Sequence, residues 1–490
     1  MSLRNLFKPR IWMLPVAALG LAVGVIISKQ KPEVVATASQ SEPQPTRIPE
    51  PEPARAADDL DAGIDGGTMA AFYEHGGRYG KMKVDADDGF GQFVDWEHAA
   101  PTDLPAFLFK TAPEDTLPVV GVPFAVMMFN TGRMTETAMK RLGNQKNLTK
   151  LQVNSINVSG CGLQGLRAIT HLDMAFSGLT DEGLKELSEH TTLTHLSIGK
   201  TYVTADGLKE LEAFRSLTLL DLMFTPMTDG GLKSLRDWKH LKTLNLSETG
   251  VTDAGLKELQ CHANLKALYL GLTAVTDAGL KELAGLKRLD TLSLEQTKVT
   301  DAGLKELKAY PSLKNLNLSG TKVTDAGMKE LKDIQALTQL NLAHVAVTEV
   351  GLRELKEIKT LTALTLFGTP VTVAGLSAFG DNETLTALSL GLKDATDAGL
   401  KPLKRLKSLK YLTLYGPGSQ VTDAGMKELG DIKTLTGLGL SRTAVTDAGL
   451  KELYGLHDLA WVDLSATVVT ARGVAELRAA LPKCRVDIRR

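Results

Sequence analysis

From residue 120 onward, apolar and polar positions follow a rhythm that changes period inside each unit of the chain. In "LDTLSLEQTKVTDAGLKEL" (289–307), Leu292 and Leu294 alternate with Thr291, Ser293 and Glu295. Alternation of period two predicts a short strand with one buried face. Thr297 ends the strand and Val299 turns inward. Thr300 is suited to cap a helix, and Asp301 stands in the first turn, where the helix dipole favours an anion. Gly303, Leu304 and Leu307 then share one helical face, with Lys305 and Glu306 on the other. Each unit reads strand, turn, short helix, return. A single unit cannot bury its apolar edge, so stacked units must share one core.

The glycine of this frame stands at 183, 207, 231, 255, 279, 303, 327, 351, 375, 399, 425, 449 and 473. Every step is 24 residues except 399 to 425, where "GPGSQ" (416–420) accounts for two more. Two degenerate copies precede the series, "MTETAMKRL" (134–142) and "VSGCGLQGL" (158–166), which makes fifteen units. The frame resembles the leucine-rich repeat, LxxLxLxxN/CxL, in the "ITDxGLxxL" flavour of ribonuclease-inhibitor-like, F-box-associated and many bacterial repeats. The likeness covers residues 120–490. One departure is consistent: Thr replaces the family's Asn or Cys, as at Thr201, Thr225, Thr249, Thr273, Thr297, Thr321, Thr369, Thr443 and Thr467. The resemblance implies an α/β fold, a curved solenoid with a parallel sheet on its concave face and short helices on its convex face. It also implies a ligand, usually a protein, bound on the concave face.

The recurring "VTDAGLKEL" invites a chemical reading, as carboxylates for catalysis or as helix N-termini for phosphate. The pattern opposes both. A catalytic site needs different groups converging on one point, and this motif recurs along the whole array. Its Asp is replaced by Ala205, Glu349, Val373 and Ala471, whereas Thr fills the capping position in all thirteen regular units. The motif is therefore expected to be scaffold. Ala138 in the glycine place suggests that small size is required there, so that helix and sheet approach closely, and not a positive φ.

Function is then expected on the positions that vary. Between the buried leucines of each strand lies a small polar residue, such as Asp173, Ser197, Asp221, Asn245 and Asn317. Just beyond it stand Phe176, Met223, Phe224, Leu272, Phe367, Leu392 and Tyr415. Tyr269, Tyr411 and Trp461 point outward by parity. Large apolar groups on an exposed sheet are candidate contact anchors; the competing expectation is that residues at the strand ends fold into the turn. Phe176, Phe224 and Leu272 fall in one column, two repeats apart, which is ~10 Å between neighbours. His171 and His195 occupy one column in adjacent repeats with Asp173 close by, a weak candidate metal set. No third ligand is fixed by spacing, and no cofactor is expected.

Composition adds less. The chain has 490 residues, 43% hydrophobic, with formal net charge −1. No basic stripe favours nucleic acid. Cys161, Cys261 and Cys484 are too few for a disulfide framework. The N-terminus changes the picture. Arg4, Lys8 and Arg10 precede the uncharged run "IWMLPVAALGLAVGVIIS" (11–28), long enough for a membrane anchor. Residues 1–30 read as that anchor or a signal segment, the cleavage alternative resting on Ala36-Thr37-Ala38. On either reading the basic residues keep the N-terminus in the cytoplasm and the rest of the chain is exported. Residues 31–57 are a Pro/Glu-rich linker. Residues 58–119 are irregular but carry eight aromatics, including Phe72, Phe90, Trp96 and Phe107, and read as an N-terminal cap; the repeats fill 120–490.

The preferred reading is a non-enzymatic recognition module, membrane-anchored with its repeats outside the cytoplasm, or secreted after cleavage, which binds a protein or a cell-surface polymer. Three other readings compete: a self-associating envelope protein, an enzyme using the His171/His195 cluster or residues 58–119, and a cytoplasmic ubiquitin-ligase-type receptor.

Overall fold

The computed structural model describes residues 64–74, 77–83, 92–94, 103–109, 117–128, 135–154, 158–211, 214–372, 374–379, 382–391, 396–415 and 421–489. The expected anchor at 11–28, the linker at 31–57, Phe90, Trp96 and Leu392 lie outside them, as does the side chain of Tyr415. Among the described residues, no helix is long and apolar enough to cross a membrane.

One sheet of 19 strands runs through the described chain. Helix α1 (Gly66–Glu74) is followed by β1 (Gly77–Lys83), β2 (Gln92–Val94) and β3 (Leu104–Phe109). β1 lies antiparallel to both β2 and β3. The stretch with no legible periodicity thus contains regular structure that extends the sheet. Its aromatics explain why: Phe72 stacks on Phe107 at 3.9 Å between ring centroids, and Phe124 meets both rings edge-on. From β3 onward all pairing is parallel, through β4 (Phe124–Met128), β5 (Leu148–Val153), β6 (His171–Asp173) and on to β18 (Trp461–Asp463) and β19 (Arg485–Asp487). Fifteen described strands, β4 to β18, are each followed by a helical segment.

The register places equivalent residues of successive repeats side by side, as in Leu268 beside Leu292 beside Leu316. In the unit from 289, Leu292, Leu294, Val299, Leu304 and Leu307 are all fully buried. Burying each such side chain contributes ~1.5–3 kcal/mol. The threonine that replaces the family's Asn or Cys works within its own repeat: Thr297 Oγ1 donates to the carbonyl of Leu294 at 2.7 Å, and Thr201, Thr225, Thr249, Thr273, Thr321 and Thr443 do the same. The shorter side chain closes the strand locally where an amide would reach farther.

The "VTDAG" segment joins repeats together. Thr300 Oγ1 caps its helix by accepting from the Ala302 amide at 3.3 Å. Asp277, one repeat earlier, accepts from the Thr300 amide at 2.8 Å and from its hydroxyl at 2.7 Å. The same double contact recurs from Asp181 to Thr204, Asp253 to Thr276, Asp325 to Thr348 and Asp447 to Thr470. These bonds hold the Asp447 carboxyl below the usual carboxylate range. The glycine has the matching explanation. A Cβ on Gly303 would overlap Asp277 Oδ1. At Gly303, and wherever an Asp or Glu stands one repeat earlier, small size is thus demanded by that carboxylate, and not by contact between helix and sheet as the frame suggested. Ala138 is tolerated because it lies in the first unit. The exception supports the rule. Ala205 stands in the Asp place, and Thr228, one repeat on, is held by no carboxylate among the described residues and makes no side-chain cap bond.

Candidate functional site: the concave face

Parallel pairing lines up the outward residues of each strand in two rows. One contains His171, His195 and Leu219 at its start, and Tyr411, Gly437, Trp461 and Arg485 at its end. The other contains Asp173, Ser197 and Asp221 at its start, and Gly439, Asp463 and Asp487 at its end, with Tyr269 between them. Much of the second row is occupied with its own backbone. Asp173 accepts from the Ala175 amide at 2.9 Å, Asp221 from Met223 at 3.0 Å, Asn245 from Ser247 at 3.0 Å and Asn317 from Ser319 at 3.0 Å. Short Asp and Asn side chains hold the strand's exit into the turn. That turn passes through left-handed backbone three residues on.

The left-handed position forms a third row along the rim. Phe176 has φ 61°, Lys200 54°, Phe224 57°, Glu248 58° and Leu272 57°; Gly320 and Gly368 hold the same place farther on. A bulky residue there costs ~1–2 kcal/mol. Phe176 is 43% exposed, Phe224 49% and Leu272 46%. They point out of the turn and do not fold into it. Lys200 stands between the two phenylalanines, its Nζ 5.2 Å from each ring centroid. This is cation–π geometry on both sides of one ammonium. Met223 is half-buried beside them. Farther along, Phe367 meets His344 edge-on at 5.0 Å.

At the N-terminal end, His171 and His195 come together as the register requires. Their rings stack at 4.0 Å with planes 7° apart. Each Nδ1 lies 2.8 Å from the hydroxyl of the preceding threonine, Thr170 or Thr194. Both hydroxyl protons go to backbone carbonyls, Thr170 to Thr149 and Thr194 to Thr170. Nδ1 must then be the donor, which assigns the neutral tautomer of each ring. The Nε2 lone pairs lie in nearly parallel planes and cannot converge on one ion. Asp173 does not complete a set: its Oδ2 accepts from Gln152 Nε2 at 2.8 Å. Among the described residues, no group of three or more His, Cys, Asp or Glu side chains is placed to hold a metal. Burial, then the neighbouring His195 and Lys150, lowers His171 to about 3. Burial, then Lys150 and Lys242, lowers His195 to about 4. Burial brings Lys150 down to about 8 and lifts Asp173 to about 6.

At the C-terminal end, Tyr411 is 41% exposed and Trp461 is half-buried. The strand between them presents only Gly437 and Gly439. A Cβ on Gly437 would stand 2.7 Å from Tyr411 Cδ1 and 3.4 Å from Trp461 Cε3, so both rings lean over this bare strand. On its other side, Trp461 Nε1 donates to Asp487 Oδ2 at 2.9 Å, and Arg485 Nε donates to Asp487 Oδ1 at 3.0 Å. One carboxylate thereby fixes an indole and a guanidinium. Lys200, Gly437, Arg485 and Asp487 were not among the residues expected from sequence. Their signal was present only as column neighbours of the aromatics.

Five stretches, 165–188, 215–235, 239–259, 261–284 and 311–332, match the family described as Leucine Rich repeat. Together with the repeating strand and helix, they make the chain a leucine-rich repeat protein with an α/β horseshoe fold. Among solved structures it is similar to an internalin from Listeria monocytogenes (20% identity, 72% of this chain and 88% of that one, TM-score 0.43). It is also similar to a leucine-rich-repeat protein of Leptospira interrogans (21% identity, 74% of this chain and 89% of that one, TM-score 0.46). A third is TLR13 in its complex with ssRNA13 (18% identity, 68% of this chain and 51% of that one, TM-score 0.47). No curated protein sequence matches the chain at a significant level.

Proposed function

We propose that the chain is a non-enzymatic recognition module, exported and tethered to a membrane through residues 11–28, which binds a protein or cell-surface polymer on its concave face. Leucine-rich repeats typically serve as protein-binding modules, and the repeated motif here is used up in joining repeats. The observation that carries the reading is the rim row: Phe176, Phe224 and Leu272 are exposed on backbone that glycine would adopt without strain. Exposed aromatics at the cost of strained backbone are expected where contact, and not stability, is the role. Tyr269, Tyr411 and Trp461 extend the contact surface across the two inner rows.

Crosslinking from the concave face of the full chain tests this, with a control carrying Tyr269→Ala, Tyr411→Ala and Trp461→Ala. The expected result is capture of partners that the control loses. Equal capture by the control overturns the concave-face assignment. A reporter fused at Arg490 tests export; a cytoplasmic signal overturns that part.

A further inference from the structure

We infer that the C-terminal end of the concave face, built on Tyr411, Gly437, Trp461 and Arg485, binds a sugar polymer bearing carboxylates. The inference rests on the recognition reading above and narrows its ligand.

The shape of the surface favours a flat ligand. Protein hot spots are side chains buried in pockets. Here the rings of Tyr411 and Trp461 lean over a strand whose outward residues are both glycine, so the surface is shallow and level. The indole spans from Gly437 on one neighbouring strand to Asp487 on the other, and is anchored at both edges. Such a surface offers π faces, whose negative quadrupole attracts the polarised C–H edges of a pyranose ring lying flat. Thr413 and Ser441 add short hydroxyls beside the platform.

Charge decides which sugar. Asp463 is taken by the Ser465 amide at 2.9 Å, and Asp487 by Trp461 and Arg485. The carboxylates here are thus turned to internal partners. Arg485 has 69% of its side chain exposed, and only its Nε is held by Asp487. The fork's two Nη groups bond no described residue, and the held Nε fixes their plane next to the indole. A planar guanidinium in fixed orientation suits a carboxylate bound in bidentate fashion. Lys410, Arg442 and Arg489 are exposed around the same end. The N-terminal end provides the contrast: there the strand between two aromatics supplies its own cation, Lys200, and fills the space.

The test is calorimetric titration of the full chain with polygalacturonate, its methyl-esterified neutral form and polyglutamate. Binding to polygalacturonate is expected, with loss on esterification and weakening at high salt. Trp461→Ala and Arg485→Gln are each expected to weaken it by about tenfold or more. Arg485→Gln alters an exposed side chain, so it remains informative if Trp461→Ala fails to fold. Absence of binding to polygalacturonate overturns the inference, as does polyglutamate binding equally well, which would point to an acidic polypeptide. If crosslinking from the concave face still captures partners, the recognition reading survives this failure; if neither experiment finds a ligand, both fall.

Discussion

Asp277 holds Thr300 twice across a repeat boundary, through the amide at 2.8 Å and the hydroxyl at 2.7 Å. The threonine it holds is itself the cap of the next helix. Asp277→Ala removes two charge-assisted bonds and is expected to cost about 1–3 kcal/mol. Urea unfolding of the two proteins, compared at equal m-value, measures it; an unchanged midpoint contradicts the assignment.

Ala205 offers the reverse experiment. Restoring the carboxylate with Ala205→Asp gives Thr228 the partner it lacks. A gain of about 0.5–1.5 kcal/mol is expected. Loss of stability in the same urea assay would show that this boundary cannot accept the contact.

Gly303→Ala separates steric demand from helix propensity. Propensity alone would favour alanine by about 1 kcal/mol. The added Cβ meets Asp277 Oδ1, so net destabilisation is expected. In the double variant with Asp277→Ala the clash disappears, and the two effects should be less than additive. Strict additivity would remove the steric link.

Phe224→Gly tests whether the rim residues serve contact or stability. Glycine relieves the φ 57° conformation but adds freedom to the unfolded chain. The midpoint is expected to move by no more than about 1 kcal/mol, while partner capture falls. A large loss of stability with capture retained would reverse the roles.

The stacked histidines give a pH signature. Their folded pKa values, about 3 and about 4, lie below the usual 6.5. Between those limits the unfolded chain binds more protons, so their contribution is full above pH 6.5 and is lost as pH falls toward 4. Asp173, raised to about 6, works the opposite way and favours the fold as pH falls below 6. Melting temperature measured from pH 7 to pH 4.5 should fall less steeply in His171→Asn/His195→Asn and more steeply in Asp173→Asn. Parallel curves for all three proteins would refute this.

The repeat, its strand and helix, and the core leucines were legible because their spacing is local and recurs. Thr300 as a cap was readable for the same reason. The role of Asp277 was not, because its partners lie 23 residues away and a first-turn carboxylate already has a sufficient local explanation. The strands between Gly77 and Phe109 escaped notice because their burial comes from aromatic clustering, which has no period. On the concave face, parity located Tyr411 and Trp461. It could not show that Gly437 matters, since a glycine acquires meaning only from what leans over it. The histidine column was legible too, but ring stacking and tautomer, which decide its chemistry, are properties of geometry.

The bonds from Asp or Glu to Thr run unbroken over six boundaries, from Asp229–Thr252 to Glu349–Thr372, and over three more from Asp397–Thr422 to Asp447–Thr470. Among the described residues they are missing at Thr180, Thr228 and Thr396, where the place of the carboxylate in the preceding repeat is taken by Gly160, Ala205 and Val373. In a linear array each unit feels only its neighbours. Pulled from its two ends, the protein should therefore part first at these three seams, yielding in blocks of repeats and not one repeat at a time.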